Sequence, residues 1–302
     1  REGAGVSMTA LPTGSTTVLH ARRTGKAMTA GLAVAAVAAA ALPARADLPA
    51  SVEADYEITY NGLKVGGFTF RSDNAAAGYK MTTNGKVSVL FGAFKWTAHA
   101  DASGAIAKGG AAVPADFKFD LKGKIKGGTT AMAFQNGAVA KVDMTPPPKP
   151  KPEAIPVEPQ HLKGVFDPMA AVMMMTRGGD NPCSRKVPVF DGTRRLDVTL
   201  SPQGEVPLKT ADAAGASGAA PAMGFVCRVS YKLIAGHKPG DENTYMNKNQ
   251  NIEMVLRPVP AANVYVPYEV SASTLLGPIR VMAKKVTITP REPGRQQVVL
   301  LH

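Results

Sequence analysis

The feature that most constrains this chain is a period of two, broken at short intervals by turn-forming dipeptides. Tyr56-Glu57-Ile58-Thr59-Tyr60 alternates, Asn61-Gly62 follows, and Leu63 to Phe70 resumes. Successive side chains of a strand point to opposite faces, so such runs bury one face and wet the other. Asn and Gly tolerate positive φ, so Asn61-Gly62 predicts a tight type I′ hairpin. Gly66-Gly67 predicts a bulge or bend inside the second run. The same grammar covers Tyr79 to Leu90, with an interruption expected at Asn84-Gly85, and Phe94 to Ala100, with the next turn expected at Ser103-Gly104. Phe117-Lys118-Phe119-Asp120-Leu121-Lys122 is apolar on one face and charged on the other, and Thr129 to Met144 folds about Asn136-Gly137. Lys186 to Leu200 folds about Asp191-Gly192; Phe225 to Ile234, Asn251 to Leu256, Val264 to Val270 and Ile279 to Ile288 complete the set, with Gly277-Pro278 turning between the last two. The expected fold is mainly β: a curved antiparallel sheet, or a half-open or closed β-barrel, with one short buried helix.

The N-terminus follows a different rule. Arg22, Arg23 and Lys26 precede an almost unbroken small-apolar run, Ala27 to Leu42, and Ala44-Arg45-Ala46 fits a small-x-small cleavage site. Residues 1–46 therefore read as a signal peptide and upstream residues, with Met8 as a start and cleavage after Ala46. The run is short and alanine-rich for a bilayer span. Arg22-Arg23 leaves both the general and the twin-arginine export routes open. No later apolar stretch is long enough to span a membrane as a helix, so the expected product is a periplasmic protein with residues 47–289 as one β-rich domain. Residues 290–302 read as a loose C-terminal tail.

Three stretches break the period of two. Residues 145–160 are rich in proline and lysine, and proline removes ladder donors, so an extended strap is expected there. Residues 211–222 are low in complexity and read as a mobile loop. Met169 to Thr176 reads as the helix, with Asp167 as its cap, Pro168 in its first turn and Gly178-Gly179 ending it. It is apolar nearly all round and so should be buried. It either plugs the sheet as core or presents Met173, Met174 and Met175 as a pliable lining for an apolar ligand.

The two cysteines, Cys183 and Cys227, are far from a Cys-x-x-Cys spacing. In an oxidising compartment the simplest reading is a disulfide, worth about 3–4 kcal/mol by loop closure, rather than a redox pair. The net charge of +12 lies partly in the leader and is otherwise spread out. It reads as a solvated basic surface or as attraction to anionic lipid headgroups or acidic glycans. No stacking-aromatic motif accompanies it, and nucleic acid is not an expected partner. Asp191-Gly192-Thr193-Arg194-Arg195 is the densest polar cluster. It is a hairpin turn with a basic flank, or an anion or headgroup contact through Arg194 and Arg195; Asp167 and Asp191 could also anchor one another's loops. No His-x-His, His-x-x-x-His or His-Glu-x-x-His spacing, no Gly-x-Ser-x-Gly and no phosphate-cradling loop is present. No metal, cofactor or catalytic residue is therefore nominated, and a non-enzymatic role is expected. His237, after Gly236, is expected at the surface.

Taken together, four stretches resemble domain-of-unknown-function family 3108, exported β-rich proteins of Gram-negative bacteria. They are Tyr56 to Gly66, Phe166-Asp167-Pro168-Met169-Ala170-Ala171, Val189 to Arg195, and Val226-Cys227-Arg228-Val229 with Gly236-His237, closed by Val266-Pro267 and Gly277-Pro278. The likeness covers roughly Tyr56 to Ile288. It implies export and a curved antiparallel sheet or half-open barrel, and no agreed reaction. The expected role is binding or carrying an apolar or lipid-like envelope component. The alternatives are a structural protein contacting an envelope partner and, least favoured, a hydrolase of envelope polymers.

Overall fold

A computed structural model describes residues 48–89, 92–124, 126–149, 152–209, 222–240 and 251–302 of the chain. The expected leader and all but the last residue of the expected loop at 211–222 lie outside the described residues. Seven strands come first: β1 (Ser51–Tyr60), β2 (Leu63–Asn74), β3 (Gly78–Val89), β4 (Phe94–Ile106), β5 (Ala112–Gly123), β6 (Gly128–Gln135) and β7 (Ala138–Thr145). Helix α1 (Pro168–Thr176) separates them from β8 (Arg185–Phe190), β9 (Arg195–Pro207), β10 (Met223–Ala235), β11 (Ile252–Val259), β12 (Val264–Thr274), β13 (Gly277–Thr289) and β14 (Val298–Leu301).

All fourteen strands belong to one antiparallel sheet ordered β7-β6-β5-β4-β3-β2-β1-β13-β12-β11-β10-β9-β8, with β14 also against β13. Each wing is a meander, since strands consecutive in the chain are neighbours in the sheet, most of them joined by short turns and only β9–β10 and β10–β11 by longer connections. Asn61 and Gly62 take φ of 49° and 79°, the left-handed pair that a type I′ turn requires. The wings join through β1 and β13, paired from Ser51 opposite Thr289 to Tyr60 opposite Ile279 with one register shift between Asp55 and Tyr56.

The sheet does not close on itself. Its free edges, β7 and β8, are bridged by residues 163–166. Gly164 donates its backbone N–H to Gly137 at 2.8 Å beside β7. Phe166 donates to Pro188 at 2.9 Å and accepts from Phe190 at 3.0 Å on β8. Otherwise unpaired edge groups are thereby satisfied along part of both strands. Upstream, the proline-rich strap reaches the β10–β11 connection, where Ile155 donates to the His237 carbonyl at 2.9 Å and Gly236 donates to Ile155 at 2.8 Å. The strap buries His237 rather than leaving it at the surface.

Other local expectations also give way to the ladder. Asn84-Gly85 does not interrupt β3: both residues are paired on each side, to Thr69 and Phe68 and to His99 and Ala98. A Cβ on Gly85 would press on the Phe68 Cβ at 3.3 Å, so glycine allows a close approach of β2 and β3 instead of making a turn. Ser103-Gly104 is a bulge within β4, where the register against β5 shifts. Gly104 packs under the Tyr79 hydroxyl and the Val113 carbonyl, and the turn comes later, around Gly109-Gly110. The Gly66-Gly67 pair does accompany a bulge, as Ile58 faces Gly66 but Thr59 faces Lys64. Gly277-Pro278 opens β13, and the turn before it is Leu275-Leu276. The C-terminal tail is not loose. β12 pairs β13 only up to Met282, so Lys285 to Ile288 have a vacant side, and β14 fills it from Leu301 to Val298.

Helix α1 is a wedge between the wings. Met169 and Ala170 pack with Tyr79, Met81, Phe117 and Phe134 of the first wing. Ala171 and Met175 pack with Val187, Leu200, Leu256 and the cysteines of the second. A helix covered on two sides needs apolar residues around most of its circumference. Asp167 accepts from the Met169 and Ala170 amides at 2.9 and 3.0 Å at its start. At its end Arg185 donates to the Met174 and Met175 carbonyls at 3.1 and 3.0 Å, satisfying groups that no intrahelical donor reaches.

Candidate functional site: an apolar cavity on the helix

One helical stripe, part of which also packs on the first wing, faces a cavity. Met169, Val172, Met173 and Thr176 recur at i, i+3, i+4 and i+7, one face of an α-helix, and all four line a cavity of about 320 Å3. β1 to β3 contribute Ala54, Tyr56, Phe68, Phe70 and Met81; β11 to β13 contribute Met254, Val266, Val270, Val281 and Val286. The cavity thus lies where the two wings meet, behind the β1–β13 ladder. Its volume is at the lower end of the ~300–1,000 Å3 usual for small-molecule sites.

The walls are almost wholly apolar because β1, β2, β12 and β13 each turn their inward residues to it. Tyr56 stacks on Phe68 with ring centroids 4.7 Å apart, and burial raises the Tyr56 hydroxyl above its ordinary range, so it stays neutral. The polar groups at one end satisfy each other: Ser72 Oγ donates to Asn74 Oδ1 at 3.0 Å, and Asn74 Nδ2 donates to the Pro49 carbonyl at 2.9 Å. Thr176 Oγ1 returns to the Val172 carbonyl at 2.9 Å. Arg177, partly exposed just past the helix, gives Nη1 to the Gly109 carbonyl at 3.0 Å. Among the described residues no carboxylate pairs with it, so this guanidinium is a spare cation on the border of an apolar chamber.

The sequence candidates fall in different places. Met173 lines the cavity. Met174 does not; its sulfur takes the Ala112 amide at 3.3 Å. Met175 is buried in the second wing's core. The helical period, rather than the run of three methionines, marks the lining face, and Met169 and Val172 are the residues the run conceals. Arg194 and Arg195 stand at the β8–β9 hairpin and line none of this chamber. Arg194 is exposed. Arg195 is held by Asp197 at 2.6 Å, with Lys186 on the same carboxylate at 2.8 Å, and is mostly covered. Asp191 ties its own turn, accepting from the Thr193 and Arg194 amides at 2.8 and 2.7 Å, as Asp167 ties its own helix. Cys183 and Cys227 are disulfide-bonded, with Cα atoms 5.1 Å apart. The pair lies in the core beneath β8 and β10, away from the cavity wall.

Among the described residues Asp167 is the one buried carboxylate. Burial pushes its carboxyl up to about 6 against the pull of its two backbone donors. Its Oδ2 has no hydrogen-bond partner, nor has the Tyr79 hydroxyl, whose proton is held more firmly by burial and, after that, by the nearby carboxylate. Among the described residues no group of three or more His, Cys, Asp or Glu side chains is placed to hold a metal ion, and no helix is long and apolar enough to cross a membrane.

Set beside known proteins, the chain has a solved structural relative titled "Crystal Structure of Beta-barrel-like Protein of Domain of Unknown Function DUF1849 from Brucella abortus". The identity is 12% and the TM-score 0.45, over 80% of this chain and 98% of that one. No curated protein matches it. The model of the family described as "Protein of unknown function (DUF3108)" matches residues 55–284, from the middle of β1 through most of β13. That span takes in most of both wings, the helix and most of the residues that line the cavity, and the chain belongs to the DUF3108 family.

Proposed function

We propose that the protein is an exported, non-catalytic binding protein for an apolar or lipid-like molecule of the cell envelope. The observation that carries the reading is the chamber of about 320 Å3 between α1 and the β1–β13 junction. Such a volume left unfilled costs packing contacts that a well-packed core would keep. A ligand in it recovers them. Arg177 favours an amphiphile, with its chain against Tyr56, Phe68 and Val281 and an anionic head at the guanidinium. Export is supported by the basic and then small-apolar N-terminal segment and by a disulfide, which persists in an oxidising compartment.

Native mass spectrometry of protein purified from its own cells, with solvent extraction of what accompanies it, tests the reading. A stoichiometric apolar adduct is expected. Val270→Trp and Val281→Trp, both filling the chamber from the second wing, should abolish the adduct while the far-ultraviolet spectrum stays that of the parent. Arg177→Gln should weaken an anionic amphiphile about tenfold and leave a neutral one unchanged. A bare mass that persists after incubation with envelope lipids, or an adduct indifferent to both tryptophans, would sink the proposal.

A further inference from the structure

A second feature lies at the opposite end of the sheet from the Ser72–Asn74–Pro49 hydrogen bonds and does not depend on the cavity. The β1–β2 and β12–β13 turns come together there, and Leu63, Leu275 and Leu276 project from them, 72%, 74% and 76% exposed. Large apolar residues this exposed in one cluster call for an explanation. The turns beneath them are tied. Leu276 O accepts from Tyr60 Oη at 2.9 Å and from Asn61 Nδ2 at 3.1 Å. Pro278 O accepts from the Asn61 amide at 3.0 Å. Thr274 Oγ1 donates to Gly277 O at 2.6 Å and accepts from the Leu276 amide at 3.3 Å. The tip therefore presents leucine side chains over backbone groups already bonded to one another. That is the condition for leaving water for hydrocarbon, where unpaired backbone groups cost several kcal/mol.

The charge around the tip completes the pattern. In a meander, alternate turns share one rim, so the β3–β4 and β5–β6 turns stand beside the leucine tip. Lys86, Lys95, Lys124 and Lys126 are exposed on this rim, and among the described residues no carboxylate pairs with them. The acidic residues near the tip are already engaged: Glu57 with Lys64 at 2.8 Å and Glu269 with Arg280 at 3.0 Å. A convex apolar tip flanked on its first-wing side by lysines matches an anionic bilayer surface, into which leucines insert while lysines meet headgroups. A folded protein partner would instead need a preformed pocket for the protrusion.

We infer that this rim docks the protein on anionic lipid bilayers. The test is vesicle flotation of the protein as its cells make it, with phosphatidylglycerol–phosphatidylethanolamine vesicles against phosphatidylcholine vesicles. Trp96, the only tryptophan, lies on this rim stacked on Phe94 and reports insertion by a blue shift of its emission. Binding to the anionic vesicles is expected, weakening as salt rises. Leu63→Ser/Leu275→Ser/Leu276→Ser should weaken it on the order of a hundredfold, and Lys124→Glu/Lys126→Glu about tenfold or more. These residues are exposed, so the variants fold. The chamber-filling Val281→Trp should still bind vesicles, which separates this inference from the carrier reading. Absence of binding, binding unchanged by the leucine variant, or equal binding to both vesicle types would overturn it. So would retention on a soluble acidic glycan with the same dependence on lysines and none on leucines.

Discussion

Asp167 shows how one residue carries two incompatible demands. As a helix cap it should be ionised, and its two amide donors favour that form; as a buried group it is pushed towards the acid. Burial prevails, at about 6 against an ordinary 3.8. The folded protein then binds a proton more tightly than the unfolded chain. Above pH 6 the ionised carboxylate opposes folding in full. As pH falls from 6 to about 4 the folded state gains on the order of 3 kcal/mol from this group, and below that no more. Asp167→Asn keeps the capping oxygen and removes the charge. Urea unfolding should show the variant at least as stable as the parent at pH 7, with the gain between pH 6 and 4 missing. A variant weaker than the parent by more than about 1 kcal/mol, the usual worth of a cap, would mean that the carboxylate is needed as an ion. The capping role was legible in Asp167-Pro168 before an apolar run. The burial was not, because nothing in the residues beside Asp167 sets it: its neighbour Tyr79 is far away in sequence.

At the scale of elements, turns and strands were legible where a local rule had no competitor. Asn61-Gly62 and Asn136-Gly137 turn as their φ preferences require. Asn84-Gly85 has nearly the same composition and stays in β3, because two neighbouring strands pair with it and β2 approaches it closely. The signal that separates the cases is tertiary and has no local trace. β14 was missed for a related reason: four apolar residues near a chain end form a strand only because β13 outruns β12 and leaves a vacancy. Deleting Val298 to His302 should uncover the sides of Val286 and Ile288, both fully buried, and cost about 3–6 kcal/mol. A thermal midpoint unchanged by the deletion would show that β14 adds nothing to the sheet.

For the whole molecule, the β-rich class and the paired cysteines were readable from the chain, while the way the wings meet was not. Pairing β1 with β13 joins residues more than two hundred positions apart, and no spacing in the sequence announces it. The cavity inherits this: its two walls come from the two wings, and only the helix face between them had a readable period. The disulfide spans 44 positions and fastens the segment before β8, at one free edge, to β10 two strands inward. Cys183→Ser/Cys227→Ser should lower the unfolding free energy by about 3–4 kcal/mol, and the parent should react with a thiol reagent only after reduction. Thiols reactive in the untreated protein would contradict the bond.

The central position of β1 has a consequence for how the molecule is made. A chain emerging N-terminus first can assemble β1 through β7 at once, since each strand pairs with the one just finished. One side of β1 then waits, bare, until nearly the whole of the second wing has been synthesised and β13 arrives. Contacts this distant are slow to form, and an unpaired strand side is the kind of surface on which chains stick to one another. The vulnerable moment for this protein is therefore not its finished state, whose edges are bridged, but the interval in which its first strand has only one neighbour.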